Sequence, residues 1–323
     1  MRFTREILSI DPAVETERIV VALRHNVQRV LRRFGGVVGI SGGVDSAVVL
    51  ALSVRAFGID RVIPVIMPDR DSDPLSERLA RQLAGQFGVE PVLENVTAAL
   101  EGLGCYGRRD EAIRRVFPQY DATCGYKAKI VLPQNLLQES TLNTFSVTIV
   151  APDGQEHNAP LPPREFLQIV AASNFKQRTR MSTLYYHAEL RNYAVIGTAN
   201  KNEHDQGFFV KYGDAGVDIK AIGHLYKTQV YQLAAYLNIP QAIRERPPTS
   251  DTYSAPCTQE EFFFRLPFKL MDLLWYAQEH HIPTAEVAQV MEIPEVQVQQ
   301  AFSDFSRKFR TTSYLRTHPL DIN

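Results

Sequence analysis

Apolar residues along the chain switch between two periods, and the switching lays out the elements. Near the start Ile19, Val20, Leu23, Val27, Val30 and Leu31 recur at the spacing of a helix with one buried face. GGVVGI, at 35–40, is short and unbroken, as in a strand covered on both sides. A helix is expected from Asp45, then the β-rich run RVIPVIMP. A third helix over Pro74 to Phe87 is marked by Leu75, Leu79, Leu83 and Phe87, and a third strand is expected over Pro91 to Val96. Strand and helix alternate with short joints, which predicts an α/β fold built on a doubly wound parallel sheet. Ligands in such a sheet sit beyond the carboxyl ends of the strands.

From about Glu101 to Pro163 glycine, proline and polar residues break that rhythm. The alternation of Phe145-Ser-Val-Thr-Ile-Val and the turn residues Pro152-Asp-Gly fit a β-hairpin, and the segment reads as an insertion, not a domain. Regularity returns with a long helix over Phe166 to Arg191, the strand YAVIGTAN, and a helix over Thr228 to Leu237 closed by Pro240. Beyond Pro256 the pattern is helical throughout. The expectation is a single domain over 1–323, with an insertion at about 102–161 and a helical C-terminal tail at about 257–323.

Composition narrows the classes. With 323 residues, 45% of them hydrophobic, the chain can bury a sizeable core. A net charge of −1 gives no electrostatic reason to expect nucleic acid or an anionic membrane as partner. Cys105, Cys124 and Cys257 form no CxxC pair and are too few for a disulfide framework, so a reducing, cytoplasmic setting is expected. No apolar run reaches the roughly 18 residues a membrane span needs, and the first helix mixes acids with bases and has no signal-peptide core.

The chemistry concentrates at Ser41-Gly-Gly-Val-Asp-Ser46, where the first strand gives way to a helix. Gly42 and Gly43 let the backbone close on a ligand, and the free N–H groups of a helix start attract phosphate. This is not the GxxxxGKS loop, because an aspartate stands near the place of the lysine. Asp45 beside bound phosphates would repel them unless a cation intervened, and Mg²⁺, which takes a carboxylate or two plus phosphate oxygens, suits that role.

SGGVDS resembles the loop of the N-type ATP pyrophosphatases, the adenine nucleotide alpha hydrolase-like enzymes that cleave ATP between its α and β phosphates. QRTRMSTLYYHAE, then VIGTANKNEHDQGFFVKYGDAGVDIKAIGHLYKTQVYQLAAYLNIP, then RPPTSD resemble the ammonia-dependent NAD synthetases in order and spacing. GTANKNE and GFFVKYGDAGVD carry that narrower likeness. The resemblance implies that Gly39, Ile40, Ser41, Gly42, Gly43, Val44, Asp45, Ser46, Thr198, Lys227 and Thr249 bind ATP, the co-substrate, and that Asp45 and Glu203 hold Mg²⁺. It places Arg178, Lys211, Asp214, Asp218, Arg307 and Lys308 at deamido-NAD, and gives Asp45, Lys211 and Lys227 catalytic roles. The implied reaction adenylates the deamido-NAD carboxylate, releasing pyrophosphate, and ammonia then displaces AMP. The loop begins about forty residues into the chain, which leaves no room before it for an amidase domain, so ammonia is expected free or from a separate glutaminase. A homodimer is expected on the same resemblance.

Three departures lie on the acid side: the insertion, the run SDTYSAPCTQEEFFFRLPF after Thr249 in place of an acidic ELG-Y run, and Arg307-Lys308 where the family tends to have His-Lys. They leave open an ammonia-dependent, AMP-forming amide ligase for a different carboxylate. A reading of another class comes from PTAEVAQVMEIPEVQVQQAFSDFSRKFRTTSYLR, which resembles a helix-turn-helix ending in basic residues and so a DNA-binding protein. Its alternative is a helical tail packed on the catalytic domain, which the absence of net positive charge favours.

Overall fold

The computed structural model describes residues 2–132, 145–249 and 252–322. The chain enters through α1 (Pro12–Arg24), whose first turn is fixed by the Asp11 carboxylate accepting from the N–H groups of Ala13 and Val14. After a π-helical turn over His25–Val30 come β1 (Gly36–Gly39), α2 (Val44–Phe57), β2 (Val62–Ile66), α3 (Pro74–Gln86) and β3 (Val92–Leu93). A middle section follows, made of α4 (Thr97–Gly102), α5 (Cys105–Val116), β4 (Lys127–Val131), β5 (Ser146–Val150) and β6 (Glu156–Pro160). Then come the long α6 (Pro163–Arg191), β7 (Ala194–Gly197), α7 (Lys201–Gln206), β8 (Ile219–Lys220), α8 (Lys227–Tyr236) and α9 (Gln241–Arg244). The tail contains α10 (Phe268–Glu279), α11 (Thr284–Met291), α12 (Glu295–Thr311) and α13 (Ser313–Arg316).

The main sheet runs β3-β2-β1-β7-β8 with every pair parallel, as the alternating pattern predicted. β1 pairs with β2 on one side and β7 on the other, so the strand order reverses at β1 and opens a crevice at its carboxyl end. Helix α2 packs against α1, α8 and the sheet, and its Val48, Val49, Leu50, Ala51 and Leu52 are all fully buried. The third strand is shorter than Pro91–Val96, since only Val65↔Val92 and Ile66↔Leu93 pair. Pro91 has no N–H to donate at this sheet edge, and Leu93 is exposed.

The middle section is more regular than its sequence suggests. The expected hairpin is there, with Ser146↔Pro160 in register and Ala151 N–H bonded to Gln155 O across the Pro152-Asp-Gly turn, and β4 adds a third antiparallel strand. Ile130, Val147, Ile149, Ile169 and Tyr253 give this layer a core of its own. Helix α5 escapes a periodicity search because its inner face includes a charge: Arg109 is 1% exposed. Its Nη1 meets Asp71 at 2.5 Å, while Lys176 Nζ of α6 meets Asp69 at 3.1 Å and Asp71 at 2.8 Å. Burial alone would raise the Asp71 pKa, but Arg109 and Lys176 outweigh it and hold it below its usual value. This buried charge network ties the middle section to the loop after β2. The tail has a separate apolar core of Phe264, Met271, Leu274, Val298 and Phe305, joined by Phe3 and Leu8 from the chain start.

Candidate active site

A cavity of about 1210 Å³ opens at the carboxyl ends of β1 and β7. Gly39, Ile40, Ser41, Gly43, Val44, Asp45, Ser46, Thr198, Glu203 and Lys227 line one end. Ile130, Leu132 and Phe145 of the antiparallel layer, with Arg307, Lys308, Tyr314 and Leu315 of the tail, line other parts of its wall.

The loop after β1 is built as its sequence requires. Gly42 has φ +74°, and a Cβ there would lie 2.6 Å from the Ser76 carbonyl oxygen, so only glycine fits. Gly43 starts α2 with no side-chain cap, which leaves the first N–H groups of that helix available to an anion. Ser46 Oγ donates to Gly43 O at 2.9 Å and closes the turn. In the first turn of α2, Asp45 forms an ion pair with Lys227 and accepts from Asn200 Nδ2 at 3.0 Å.

Lys227 is the first residue of α8 and is fully buried. Burial disfavours its ammonium, but Asp45 and Glu203 outweigh that and raise its pKa above the usual lysine value. Glu203 stands in the first turn of α7, in a capping box: its carboxylate accepts from Asn200 N–H and its own N–H donates to Asn200 Oδ1, both at 3.1 Å. Burial on the cavity wall, reinforced by the charge of Asp45 and opposed by Lys227, pushes Glu203 up to about 8. Two carboxylates that repel one another beside an uncapped helix start are a donor set that a divalent cation would relieve. Among the described residues no three His, Cys, Asp or Glu side chains converge on a metal position. A cation here would complete its shell with phosphate oxygens and water, which fits Mg²⁺ arriving with ATP.

The other end is assembled from loops and the tail. Arg178 of α6 lines the cavity and reaches Lys211 O at 3.4 Å. Lys211 Nζ donates to Tyr314 O at 3.0 Å and Thr317 O at 2.7 Å, so its charge already anchors the tail. Asp214 accepts from Val210 N–H at 2.7 Å, and enclosure by the cavity walls, partly offset by backbone N–H groups, pushes it up to about 6. Lys308 lines the cavity but is buried, with its ammonium 2.9 Å from Asp304 and 2.8 Å from Phe263 O; burial lowers its pKa, and Asp304 works against that. Thr249 lines the wall and pairs in an isolated bridge with Thr258.

Asp218 is the one acid-side candidate placed elsewhere. It is absent from the cavity wall, and its two oxygens accept from Val195 N–H at 2.8 Å and Tyr185 OH at 3.1 Å. Those bonds fasten the loop before β8 to β7. Sequence reasoning passed over Asn200, although N-x-x-E at a strand-to-helix junction is a legible cap. It also passed over Arg180, which holds Met67 O and Asp69, and Arg246, whose guanidinium bonds to Ser76 Oγ and Asp73 Oδ2 at 3.1 Å each. Neither has a local signal, because their partners are distant in sequence.

The helix pair once open to a DNA-reading role is packed as part of the tail. Val298, Ala301 and Phe305 of α12 are fully buried, Lys308 turns inward and Arg307 faces the cavity.

Comparison with known proteins agrees with this geometry. The NAD synthase family model matches residues 15–105 and 131–317. This chain belongs to the NAD synthase family. The NH₃-dependent NAD⁺ synthetase of Mesorhizobium japonicum is 49% identical over 314 residues, covering 97% of this chain and 98% of that relative. That of Rhizobium meliloti is 46% identical over 317 residues, 98% of this chain and 94% of its own length. Alignments of such length run through the middle section, so these NAD synthase relatives carry it too, and between the two matched stretches the family model skips 106–130 alone. In fold, the chain resembles the Campylobacter jejuni NH₃-dependent NAD synthetase with a TM-score of 0.62 at 22% identity, over 97% of this chain and 100% of that one. No helix among the described residues is long and apolar enough to cross a membrane.

Proposed function

We propose that this member of the NAD synthase family uses ATP to amidate deamido-NAD with ammonia. The observation that carries the reading is one cavity joining the uncapped α2 loop, Asp45, Glu203 and Lys227 to Arg178 and Lys211. Its volume of about 1210 Å³ exceeds that of a typical single-ligand pocket, as two nucleotide substrates require.

The loop from Gly39 to Ser46, with Thr198 and Thr249 on the wall, receives the ATP phosphates. Lys227 sets a fixed positive charge beside the carboxylates and faces the charge that develops as pyrophosphate leaves. Mg²⁺, held by Asp45 and Glu203, would supply further neutralisation of the phosphates. At the other end Arg178, Lys211 and Arg307 place the acid, with Asp214 and Lys308 shaping the wall around it. A carboxylate oxygen of deamido-NAD forms a bond to the α-phosphorus as the bond to pyrophosphate breaks, giving the acyl adenylate. Ammonia nitrogen then bonds to the carbonyl carbon, AMP leaves with the C–O electron pair, and the ammonium-derived nitrogen loses its surplus proton. Free thiols at Cys105, Cys124 and Cys257 agree with a reducing, cytoplasmic setting. A homodimer, with ammonia free or from a separate glutaminase, completes the proposal.

The test is stoichiometry. ATP, Mg²⁺, ammonium and deamido-NAD should yield AMP, pyrophosphate and NAD in equal amounts. ADP as product overturns the chemistry, while pyrophosphate exchange driven only by another acid transfers the enzyme to a different carboxylate.

A further inference from the structure

Asp272 and Glu279 lie seven positions apart on α10, two turns along one face, and both reach out of the tail toward the ATP end. Asp272 is fully buried and accepts twice, from Asn202 Nδ2 at 2.5 Å and from Thr228 N–H at 2.7 Å. Asn202, also fully buried, turns its own Oδ1 to the N–H of Lys227 at 3.1 Å. One carboxylate of the tail therefore satisfies, directly or through one amide, the first two N–H groups of α8. It also holds Asn202, the residue next to Glu203 on α7. Glu279 repeats the pattern at the outer turn, accepting from Lys201 Nζ at 2.8 Å and Tyr226 OH at 2.5 Å.

We propose that Asp272 is a positioning residue for the ATP end, setting Lys227 against Asp45 by fixing the start of α8 through Asn202 and Thr228. Its two oxygens each accept from a donor, and these hydrogen bonds oppose the burial that pushes the Asp272 carboxyl up to about 6. A carboxylate is a costly way to fill a helical core, and apolar side chains stabilise such a place as well or better. What an apolar side chain cannot do is orient two helix starts by three linked hydrogen bonds. Tyr226 stands at the N-cap of α8 with its own N–H bonded to Gln229 Oε1 at 3.0 Å, and the N–H groups of Lys227 and Thr228 go to Asn202 and Asp272. The inference rests on the proposed ATP site and adds the element that aligns it.

Two variants test it. In Asp272→Asn one of the two donors faces an amide N–H₂, so the chain of bonds is broken at nearly constant volume. In the swap Asn202→Asp with Asp272→Asn every bond can be restored: the carboxylate now on α7 accepts from Lys227 N–H and from the amide now on α10, whose oxygen accepts from Thr228 N–H. Asp272→Asn should lower kcat by about ten-fold or more, in the range seen when groups orienting an active-site residue are removed. The KM for deamido-NAD should stay within about two-fold, and calorimetry should show weaker binding of ATP with Mg²⁺. The swap should recover most of the lost turnover and binding. Wild-type kcat and ATP binding in Asp272→Asn overturn the inference, as does a swap that recovers the melting temperature but not turnover or ATP binding. The calorimetric arm needs no acid, so it decides on Asp272 even if deamido-NAD fails as substrate.

Discussion

The two ends of the cavity are built on different principles. At the ATP end each charged group answers another: Asp45 pairs with Lys227, and Glu203 is neutralised by a raised pKa. All three sit in the first turn of a helix that follows a strand or its loop, on backbone that the parallel sheet fixes. At the acid end Lys211 is engaged with the backbone carbonyls of Tyr314 and Thr317, while Lys308 bonds to Phe263 O and pairs with Asp304 inside the tail. The first end is organised before any substrate arrives. The second holds its tail in place through Lys211, a charge that a substrate anion would compete for.

The largest effect should come from Lys227→Ala. It removes the cation paired with Asp45, so breaking this largely buried pair should cost about 3–5 kcal/mol of stability. Turnover should fall by about a hundred-fold or more, whatever acid is offered. Chemical denaturation and steady-state kinetics check both. An unchanged KM and kcat for ATP would erase the distinction between the ends.

Glu203→Gln sharpens the comparison through pH. With the folded pKa near 8 against an ordinary 4.5, the folded protein keeps a proton that the unfolded chain loses in that window. Stability of the metal-free protein therefore falls as pH rises from about 4.5 to about 8. Glu203→Gln should flatten that part of a melting-temperature profile, and saturating Mg²⁺ with ATP should flatten it in the unmutated protein. An unchanged slope in the variant would mean that Glu203 is ionised throughout.

Effects at the acid end should be smaller and divided. Lys211→Ala should raise the KM for deamido-NAD several-fold and speed hydrogen exchange in 313–317, with the ATP KM unaltered. Asp218→Asn should do least: about 1 kcal/mol of stability from weakened bonds to Val195 and Tyr185, and no change in either KM. A rise in the deamido-NAD KM for Asp218→Asn would restore that residue to the site.

What the sequence made legible follows the same division. The glycine loop and Asp45 occupy a strand end and a helix start, whose local signals are strong, whereas Thr198, Glu203 and Lys227 came from the family resemblance. The main sheet and long α6 were equally plain. Helix α5 was hidden by Arg109 on its buried face, and β8 is two residues long. Asp272 could not be found by pattern, because a lone aspartate in FKLMDLLWYAQE looks like any polar residue of a helix until Asn202 and Thr228 are brought to it. Asp218 matches the family motif in order, while in the folded chain its two oxygens are engaged with Val195 N–H and Tyr185 OH, contacts that no local pattern announces.

The tie from α10 to α8 also has a consequence in time. The glycine loop leaves the ribosome early, and at about 5–20 residues per second the residues of α10 follow it by tens of seconds. Until then the N–H groups that open α8 have no carboxylate to meet, and Lys227 has no fixed bearing on Asp45. On the proposed role of Asp272, a nascent chain is expected to complete its phosphate loop well before the lysine that serves it is aligned.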